Sequence, residues 1–587
     1  MGLIPTRDPE EFAPRLASVP FLQDAPKSAL KAVERDTTHF SIPGGGNLFE
    51  QGDPGDAIYF LVSGSLGAFR QTPDGRNEFV GHIRAGEPVG EMSLVAGESH
   101  QNSVFALRDS ELIKLSRRGF MKLVRSEPAI LERLTRIILL RLRQSRRKTP
   151  RRAEPKVFAL VATSPTIDLT LRANVLVKAL ESLELKVVVV DESHADKDVS
   201  YFDDLEARHD IVLFKAAIGN SNWYKLTMRY ADRIWVLARA DARPSIPLLP
   251  DDDSPARQFK LVDVVLLHHG DSRKGADPEE WASAAKAARV FHWHKLDDVD
   301  SHRLARIMSG RSVGVVMSGG GARAYAHIGV VKALREAGCP IDFVGGASMG
   351  AVVAACVAHG WSDSEIENRI RRAFVDSNPL GDYNIPVVGL VKGERVDNRL
   401  QEHFGERTIE SLEIPFFAVS TNLTTGAYRV HNRGILRHAL RASISLPGIL
   451  PPVIEDGDIL VDGAVLNNFP VDVMRDLHRG RIIGVDVARA PEGLSAEDFI
   501  NPPGFLEWTL QNGFSAVPPI ASLLMRAATV SVDPNAGRDL TDLLITPDLG
   551  TIELRDWRAY DEVVEAGYLS TKRALAQVTG PLNKLIN

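Results

Sequence analysis

The chain has 587 residues, 25% of them charged and 44% hydrophobic, an ordinary globular composition long enough for roughly three or four domains. A formal net charge of −6 is small for this length and carries no nucleic-acid-binding signature. The two cysteines, Cys339 and Cys356, lie in apolar segments and are expected to be buried thiols in a reducing compartment, not a disulfide framework. The start Met1-Gly2-Leu3-Ile4-Pro5-Thr6 lacks a charged residue followed by an apolar core, so no signal peptide is expected. No run of about 18 apolar residues occurs, so no spanning helix is expected either. The expected location is cytoplasmic, extending to the inner face of a membrane reached from the water side.

From about Phe21 to Leu115 the chain reads as short strands separated by turns. Pro43-Gly44-Gly45-Gly46, Gly52-Asp53-Pro54-Gly55-Asp56 and Pro73-Asp74-Gly75 are the turns, and this spacing predicts a β-roll over residues 1–130. Helical periodicity follows from Arg117 to about Arg147. Its later part, Arg133 to Arg152, is dense in Arg and Lys around Ile137-Ile138-Leu139-Leu140, and Pro150 ends it. This basic linker helix, residues 131–155, has two readings. It lies on an anionic membrane surface, or it is a connector whose apolar side packs on the β domain, and the second is favoured.

Between Val157 and about Leu296, apolar runs alternate with helical stretches such as Arg172–Leu183, which predicts an α/β domain with a parallel sheet over residues 156–305. The loop after its first strand, Thr163-Ser164-Pro165-Thr166-Ile167-Asp168, has neither the glycines nor the Lys of an NTP-binding loop, so a structural role is expected. A second α/β block occupies 310–587. Beyond Ala490 it becomes loop-rich and helical, broken at Pro502-Pro503 and Pro518-Pro519, and is a candidate cover for an active site.

Three local patterns in that block carry chemistry. Strand Ile341–Val344 runs into Gly345-Gly346-Ala347-Ser348-Met349-Gly350 and then a helix, the context of a nucleophile elbow. Gly346 and Gly350 relieve clashes in the turn, and Ser348 opens a helix whose free N–H groups favour negative charge. Strand Ser312–Met317 leads into Ser318-Gly319-Gly320-Gly321-Ala322-Arg323 and a helix from about Ala326. Its exposed amides suit an oxyanion hole better than a dinucleotide loop, because Ala324 stands where the third glycine would be. Asp462 ends the strand Ile459-Leu460-Val461 ahead of Gly463; a plain Asp-Gly hairpin turn is the rival reading. His478, the only later histidine, precedes the strand Ile482–Val485 and belongs at the opposite end of the sheet. A dyad of Ser348 and Asp462 is therefore expected instead of a triad.

Together Ser318–Arg323, Gly346–Gly350, Arg441-Ala442-Ser443-Ile444-Ser445-Leu446-Pro447-Gly448 and Asp462-Gly463-Ala464 resemble the ordered motifs of the patatin-like phospholipases, over about Val313 to Val487. The resemblance implies nucleophile Ser348, base Asp462, an acyl-enzyme, no metal or cofactor, and an oxyanion hole from Gly319, Gly320, Gly321, Ala322 and Arg323. Ala324 departs from the family's usual glycine, which bears on rate and not on reaction type.

In the N-terminal domain, Gln51–Gly64 resembles the early hairpin of cyclic-nucleotide-binding domains, and Gly90-Glu91-Met92-Ser93 resembles the start of their phosphate cassette. That resemblance calls for an Arg where His100 stands, so weak or no binding of cyclic nucleotides is expected, with a docking role as the alternative. Roll, α/β spacer and patatin-like domain in this order are similar to the neuropathy target esterase group, whose members act as lysophospholipases. Three functions remain open. One is an esterase of lysophospholipids or phospholipids, another a soluble carboxylesterase or thioesterase with the same dyad, and the third a ligand-sensing scaffold without catalysis. The intact serine, aspartate and glycine loop argue against the scaffold.

Overall fold

In the computed structural model, the described residues are 19–71, 77–145, 155–245, 261–269, 277–488 and 535–580, except 198, 295–296, 378–379, 384–387, 479 and 555, together with Leu16, Leu248, Leu523 and Asp533. The proline-marked breaks expected beyond Ala490, the turn at Pro73–Gly75 and the end of the basic helix past Ser145 lie outside them. The chain divides into two compact units, Met1–Leu267 with Ala284–Ala288, and His268–Ser283 with Arg289–Asn587.

The first unit opens with the expected roll. Eight strands, β1 (Thr37–Ile42), β2 (Asn47–Phe49), β3 (Ala57–Ser63), β4 (Ser65–Gln71), β5 (Asn77–Arg84), β6 (Pro88–Val89), β7 (Ser103–Ala106) and β8 (Ser110–Ser116), form two antiparallel sheets. Their orders are β1-β8-β3-β6 and β2-β7-β4-β5. The helical run expected as one piece from Arg117 is two helices, Arg117–Ser126 and Ala129–Ser145. Pro128 lacks an N–H and forces the residue before it out of the helical region, and Glu127 sits at φ −140°. The second helix lays Ile130 and Leu134 into the roll's core, with Ile137 and Ile138 against its edge.

Next come β9 (Val157–Ala162), β10 (Val187–Val190), β11 (Ile211–Ala217), β12 (Arg233–Arg239) and β13 (Leu261–His268). They pair in parallel in the order β10-β11-β9-β12-β13. Near-continuous apolar runs such as Val-Phe-Ala-Leu-Val-Ala in β9 are fully buried, as a sheet covered on both faces requires. Arg108 of the roll reaches this domain, pairing with Glu206 at 2.8 Å and with Asp232 at 3.5 Å.

The second unit contains β14 (Arg289–His294), β15 (Val313–Met317), β16 (Phe343–Ala347), β17 (Phe416–Asn422), β18 (Ala427–His431), β19 (Val453–Glu455), β20 (Asp458–Asp462), β21 (Arg481–Val485) and β22 (Leu543–Ile545). In its main sheet β17, β16, β15, β21 and β22 are parallel neighbours in that order. Two helices cross closely beside it: a Cβ on Gly329 would fall 1.9 Å from the Val564 carbonyl, and one on Gly567 would fall 2.0 Å from that of Ala326. Only glycine lets the helix Tyr560–Ala576 approach the helix Ala326–Glu336 so closely.

Register explains how distant segments meet at the end of this sheet. At Ala418 and Val419, β17 has β18 on one edge and β16 on the other, with Ala347 opposite Val419. At Ser420 to Asn422, β18 still occupies its edge and antiparallel β20 takes the other, with Asp462 opposite Ser420. β16 and β20 therefore share one edge of β17, end to end. The last residues of both strands meet there.

Candidate active site

Ser348 lies just past the end of β16, at φ +52°, a left-handed conformation that costs a non-glycine residue about 1–2 kcal/mol. The surroundings hold it there. The Ser348 N–H donates to Ser443 Oγ at 3.0 Å, and Ser443 Oγ donates to the Val419 carbonyl at 2.7 Å. The helix Ser348–Ala358 starts hard against the end of β15. A Cβ on Gly346 would lie 2.3 Å from the Met317 carbonyl oxygen, and one on Gly350 would lie 2.4 Å from that of Ser318. Both glycines are thus required by contact with a neighbouring backbone. Ser362 and Glu365 form a reciprocal capping box at the start of the next helix, Asp363–Ile370.

Asp462 ends β20 and is completely buried. Ser348 Oγ donates to its Oδ2 at 2.7 Å, and the Ala464 N–H donates to its Oδ1 at 2.8 Å. The Asp462 N–H donates to the Ser445 carbonyl at 2.9 Å, anchoring the carboxylate's own backbone. Burial pushes the Asp462 carboxyl up to about 7, against the opposing pull of the Ser348 hydroxyl and the Ala464 amide. The rival hairpin reading belongs to another Asp-Gly pair: Asp456 and Gly457, both at positive φ, make the turn between β19 and β20. His478 hydrogen-bonds Ser312 at 3.0 Å and stacks on Phe343, at the far end of β15 and β16 from Ser348. His431 hydrogen-bonds Ser420 Oγ at 2.7 Å, and His327 hydrogen-bonds the Ser318 carbonyl at 2.9 Å.

The glycine loop lies directly against Ser348, since a Cβ on Gly319 would sit 2.8 Å from Ser348 Cβ. Its five expected donors divide into two sets. The Gly319 amide donates to the Asn468 carbonyl at 3.2 Å, that of Ala322 to the Leu554 carbonyl at 2.8 Å, and that of Arg323 to the Gly320 carbonyl at 3.1 Å. The Arg323 side chain is also engaged, donating from Nε to Val487 and from Nη1 to Ile552 at 2.8 Å each. The expectation that Gly319, Ala322 and Arg323 would present free donors is thus corrected: their amides fix the loop. The amides of Gly320 and Gly321 donate to no described acceptor. Ala324 is buried within the apolar core. Three partners escaped the sequence reading as individual residues, namely Ser443, Asn468 and Leu554. Ser443 lies in a segment quoted for its resemblance, but nothing in local spacing marks the other two.

In the roll, Gly90 at φ +79° opens the short helix Glu91–Ala96, with Met92 exposed and Ser93 buried. Glu91 is buried, and its Oε1 accepts from Arg141 Nη1 at 2.6 Å, while Arg141 Nη2 reaches Glu87 at 3.2 Å. His100 stacks on Phe49 with ring centroids 3.7 Å apart, and burial lowers its pKa. The carboxylate expected at a ribose is therefore held by an internal guanidinium, and a ring biased toward neutrality stands where a phosphate would need a cation. Arg141 belongs to the basic helix, as does Arg133, which bridges Asp24 at 2.7 Å. These two cations pair with carboxylates of the first unit.

The patatin-like phospholipase family model matches residues 315–475, the cyclic nucleotide-binding domain model residues 40–127, and the Neuropathy Target Esterase family P-loop like domain model residues 158–294. In that last region Asp168 of the glycine-free loop caps the helix Leu169–Glu181, accepting from the Leu171 N–H at 2.9 Å. The chain is 32% identical to an uncharacterised NTE family protein of Mycobacterium tuberculosis, over 97% of each chain. It is 27% identical to human patatin-like phospholipase domain-containing protein 6, over 90% of this chain and 44% of that one, and so spans under half of the human protein. Among solved structures, the regulatory domain of Toxoplasma gondii PKA crystallised with cAMP matches 22% of this chain and 50% of its own, at 22% identity and a TM-score of 0.21.

Proposed function

The chain belongs to the NTE family, and from that premise we propose that it hydrolyses the carboxylic esters of lysophospholipids or phospholipids through a Ser348–Asp462 dyad. The observation that carries this reading is the 2.7 Å hydrogen bond from Ser348 Oγ to a fully buried Asp462. A carboxylate in water is a weak base toward a hydroxyl. Burial raises its proton affinity, and a carboxyl near 7 is poised to accept and return a proton at neutral pH.

Ser348 Oγ attacks the ester carbonyl carbon while Asp462 takes its proton. The carbonyl oxygen becomes an oxyanion beside the Gly320 and Gly321 amides and the start of the helix Ser348–Ala358, whose dipole favours negative charge. As the tetrahedral intermediate collapses, the carbonyl–alkoxy bond breaks and protonated Asp462 gives its proton to the departing glycerol oxygen. An acyl group remains on Ser348. Water then attacks the acyl carbon, Asp462 takes its proton, and the fatty acid leaves as Ser348 regains its hydrogen.

The test is a panel of lysolipids, diacyl lipids and water-soluble esters analysed by mass spectrometry, comparing wild type with Ser348→Ala. Release of fatty acid from lysolipid or diacyl lipid by wild type alone supports the reading. Turnover of water-soluble esters alone would replace it with a soluble carboxylesterase. A fluorophosphonate probe should label wild type and not Ser348→Ala; labelling that survives the substitution would overturn the nucleophile.

A further inference from the structure

Above the level of Ser348, the main sheet gives way to a smaller antiparallel flap ordered β19-β20-β17-β18. β17 carries it there. Its parallel partner β16 stops at Ala347, opposite Val419, and the chain continues four residues further to Leu423, about 13 Å at ~3.3 Å per residue. The flap therefore rises from the end of the sheet at which the nucleophile lies.

Its outer end carries an apolar ladder. Just past the end of β17 the Leu423 N–H donates to the Ile459 carbonyl at 2.8 Å, continuing the register with β20, so these two residues stand opposite each other. Ile459 is in turn opposite Ile454 on β19. Residues directly opposite in an antiparallel pair share a face, which puts all three side chains in one row. None is buried: Leu423 is 53% exposed, Ile459 40% and Ile454 66%. Single exposed apolar residues are common, but three aligned across three strands of the flap, on the face opposite to Asp462, form a patch that calls for a partner.

The charge beside the ladder restricts what that partner is. The hairpin end holds Glu455, Asp456 and Asp458 around the one guanidinium of Arg429, at 3.2, 3.5 and 3.7 Å. Three carboxylates against one cation leave the rim negative. Such a rim repels anionic lipid and suits an outward-facing ammonium group.

We infer that this ladder docks the protein on a membrane of zwitterionic phospholipid, with Leu423, Ile454 and Ile459 entering the interface and the acidic rim facing the cationic headgroup ends, so that Ser348 is presented to lipid esters. The inference rests on the lipid-hydrolase reading of the same site and adds where, and on what kind of surface, the enzyme lands. Among the described residues no helix is long and apolar enough to cross a membrane, and Arg133 and Arg141 of the basic helix are held by carboxylates. The flap offers a docking surface that needs neither.

The experiment uses the full chain as Ser348→Ala, so that binding is measured without turnover, and phosphatidylcholine vesicles as the probe. Ile454→Trp in that background should give a blue-shifted difference emission on vesicle addition, quenched by brominated acyl chains. Leu423→Ser with Ile454→Ser should weaken vesicle sedimentation roughly ten- to a hundredfold, by withdrawing two apolar side chains from the interface. In an otherwise wild-type chain the same pair should leave hydrolysis of a water-soluble ester unchanged while slowing hydrolysis of vesicle lipid. An unshifted emission from the Ile454→Trp variant, or a shift that follows protein concentration without vesicles, overturns the inference, and the second outcome identifies a second copy of the chain as the occupant. Preferred binding to phosphatidylglycerol vesicles overturns it too. The tryptophan readout stands if the serine variants fail to fold. If wild type hydrolyses no ester but the emission shift occurs, the hydrolase reading falls and the docking stands; hydrolysis without the shift gives the reverse.

Discussion

Replacing Asp462 with Asn removes a titrating group from a fully buried position while keeping an acceptor for Ser348. Burial raises the carboxyl from 3.8 to about 7, so the folded protein binds this proton more tightly than the unfolded chain. A group whose folded pKa is raised contributes most below its unfolded value, and that contribution is lost as pH rises through the folded pKa. From about pH 4 to about pH 7 the cost of an ionised, buried carboxylate therefore accumulates, and above about 7 it stays constant. Roughly three pKa units at 1.36 kcal/mol each give about 4 kcal/mol, an upper figure for the stabilisation Asp462→Asn gains at pH 8 relative to pH 4. At about 2–4 °C per kcal/mol for a large domain, that is a rise in melting temperature of at most about 8–16 °C. Calorimetry at pH 5.0, 6.5 and 8.0, following the transition of the unit that contains the site, reads the effect. The variant should match wild type most closely at pH 5.0 and exceed it most at pH 8.0, with activity lost throughout. A difference in melting temperature that stays flat or shrinks with pH would refute the claim that an ionised carboxylate is held there against a desolvation cost.

The same carboxyl predicts that log(kcat/KM) for a neutral ester rises with pH and levels off above about 7, where Asp462 is ionised and able to take the serine proton; a profile flat from pH 5 to 8 would exclude it as the base. Gly319→Ala should lower kcat by roughly a hundredfold or more with the fold intact, because the new methyl would sit 2.8 Å from Ser348 Cβ and force the oxyanion donors apart; wild-type kcat would show that the loop does not set the site. In the roll, calorimetry should find cyclic AMP and cyclic GMP binding weakly or not at all. His100→Arg alone should not restore tight binding, because Arg141 still holds Glu91, whereas His100→Arg with Arg141→Ala should strengthen it by about one to two decades. Micromolar affinity in wild type would overturn this account.

The elbow was legible because its requirements are local. A strand, two glycines flanking a serine and a helix of small residues describe one turn, and the contacts of Gly346 and Gly350 with the end of β15 explain why that spelling is needed. Asp462 was legible as a strand-ending carboxylate, and the absence of a nearby later histidine pointed to a dyad. How Asp462 reaches Ser348 was not legible, because it depends on β16 and β20 sharing one edge of β17, and pairing register is a long-range property. The glycine loop was recognised as a whole, but which amides remain available is decided by Asn468 and Leu554, far along the chain. The roll shows the same limit. His100 could be read against a known pattern, whereas nothing in sequence indicated that Arg141, fifty residues after Glu91, folds back onto it. The break at Pro128 was readable from proline chemistry, yet the apolar periodicity on both sides disguised it.

The carbonyls of Ile552 and Leu554, which clamp the glycine loop, bear on when during its manufacture this protein becomes active. A growing chain that has passed Asp462 already holds Ser348 and Asp462, but not the segment that fixes the glycine loop beside them, nor the helix Tyr560–Ala576 that packs against the loop's own helix. On the proposed reading of Ser348 and Asp462, the order of synthesis would act as a safety catch: a ribosome-bound chain would carry both side chains while the glycine loop beside them still lacked its Ile552 and Leu554 anchors.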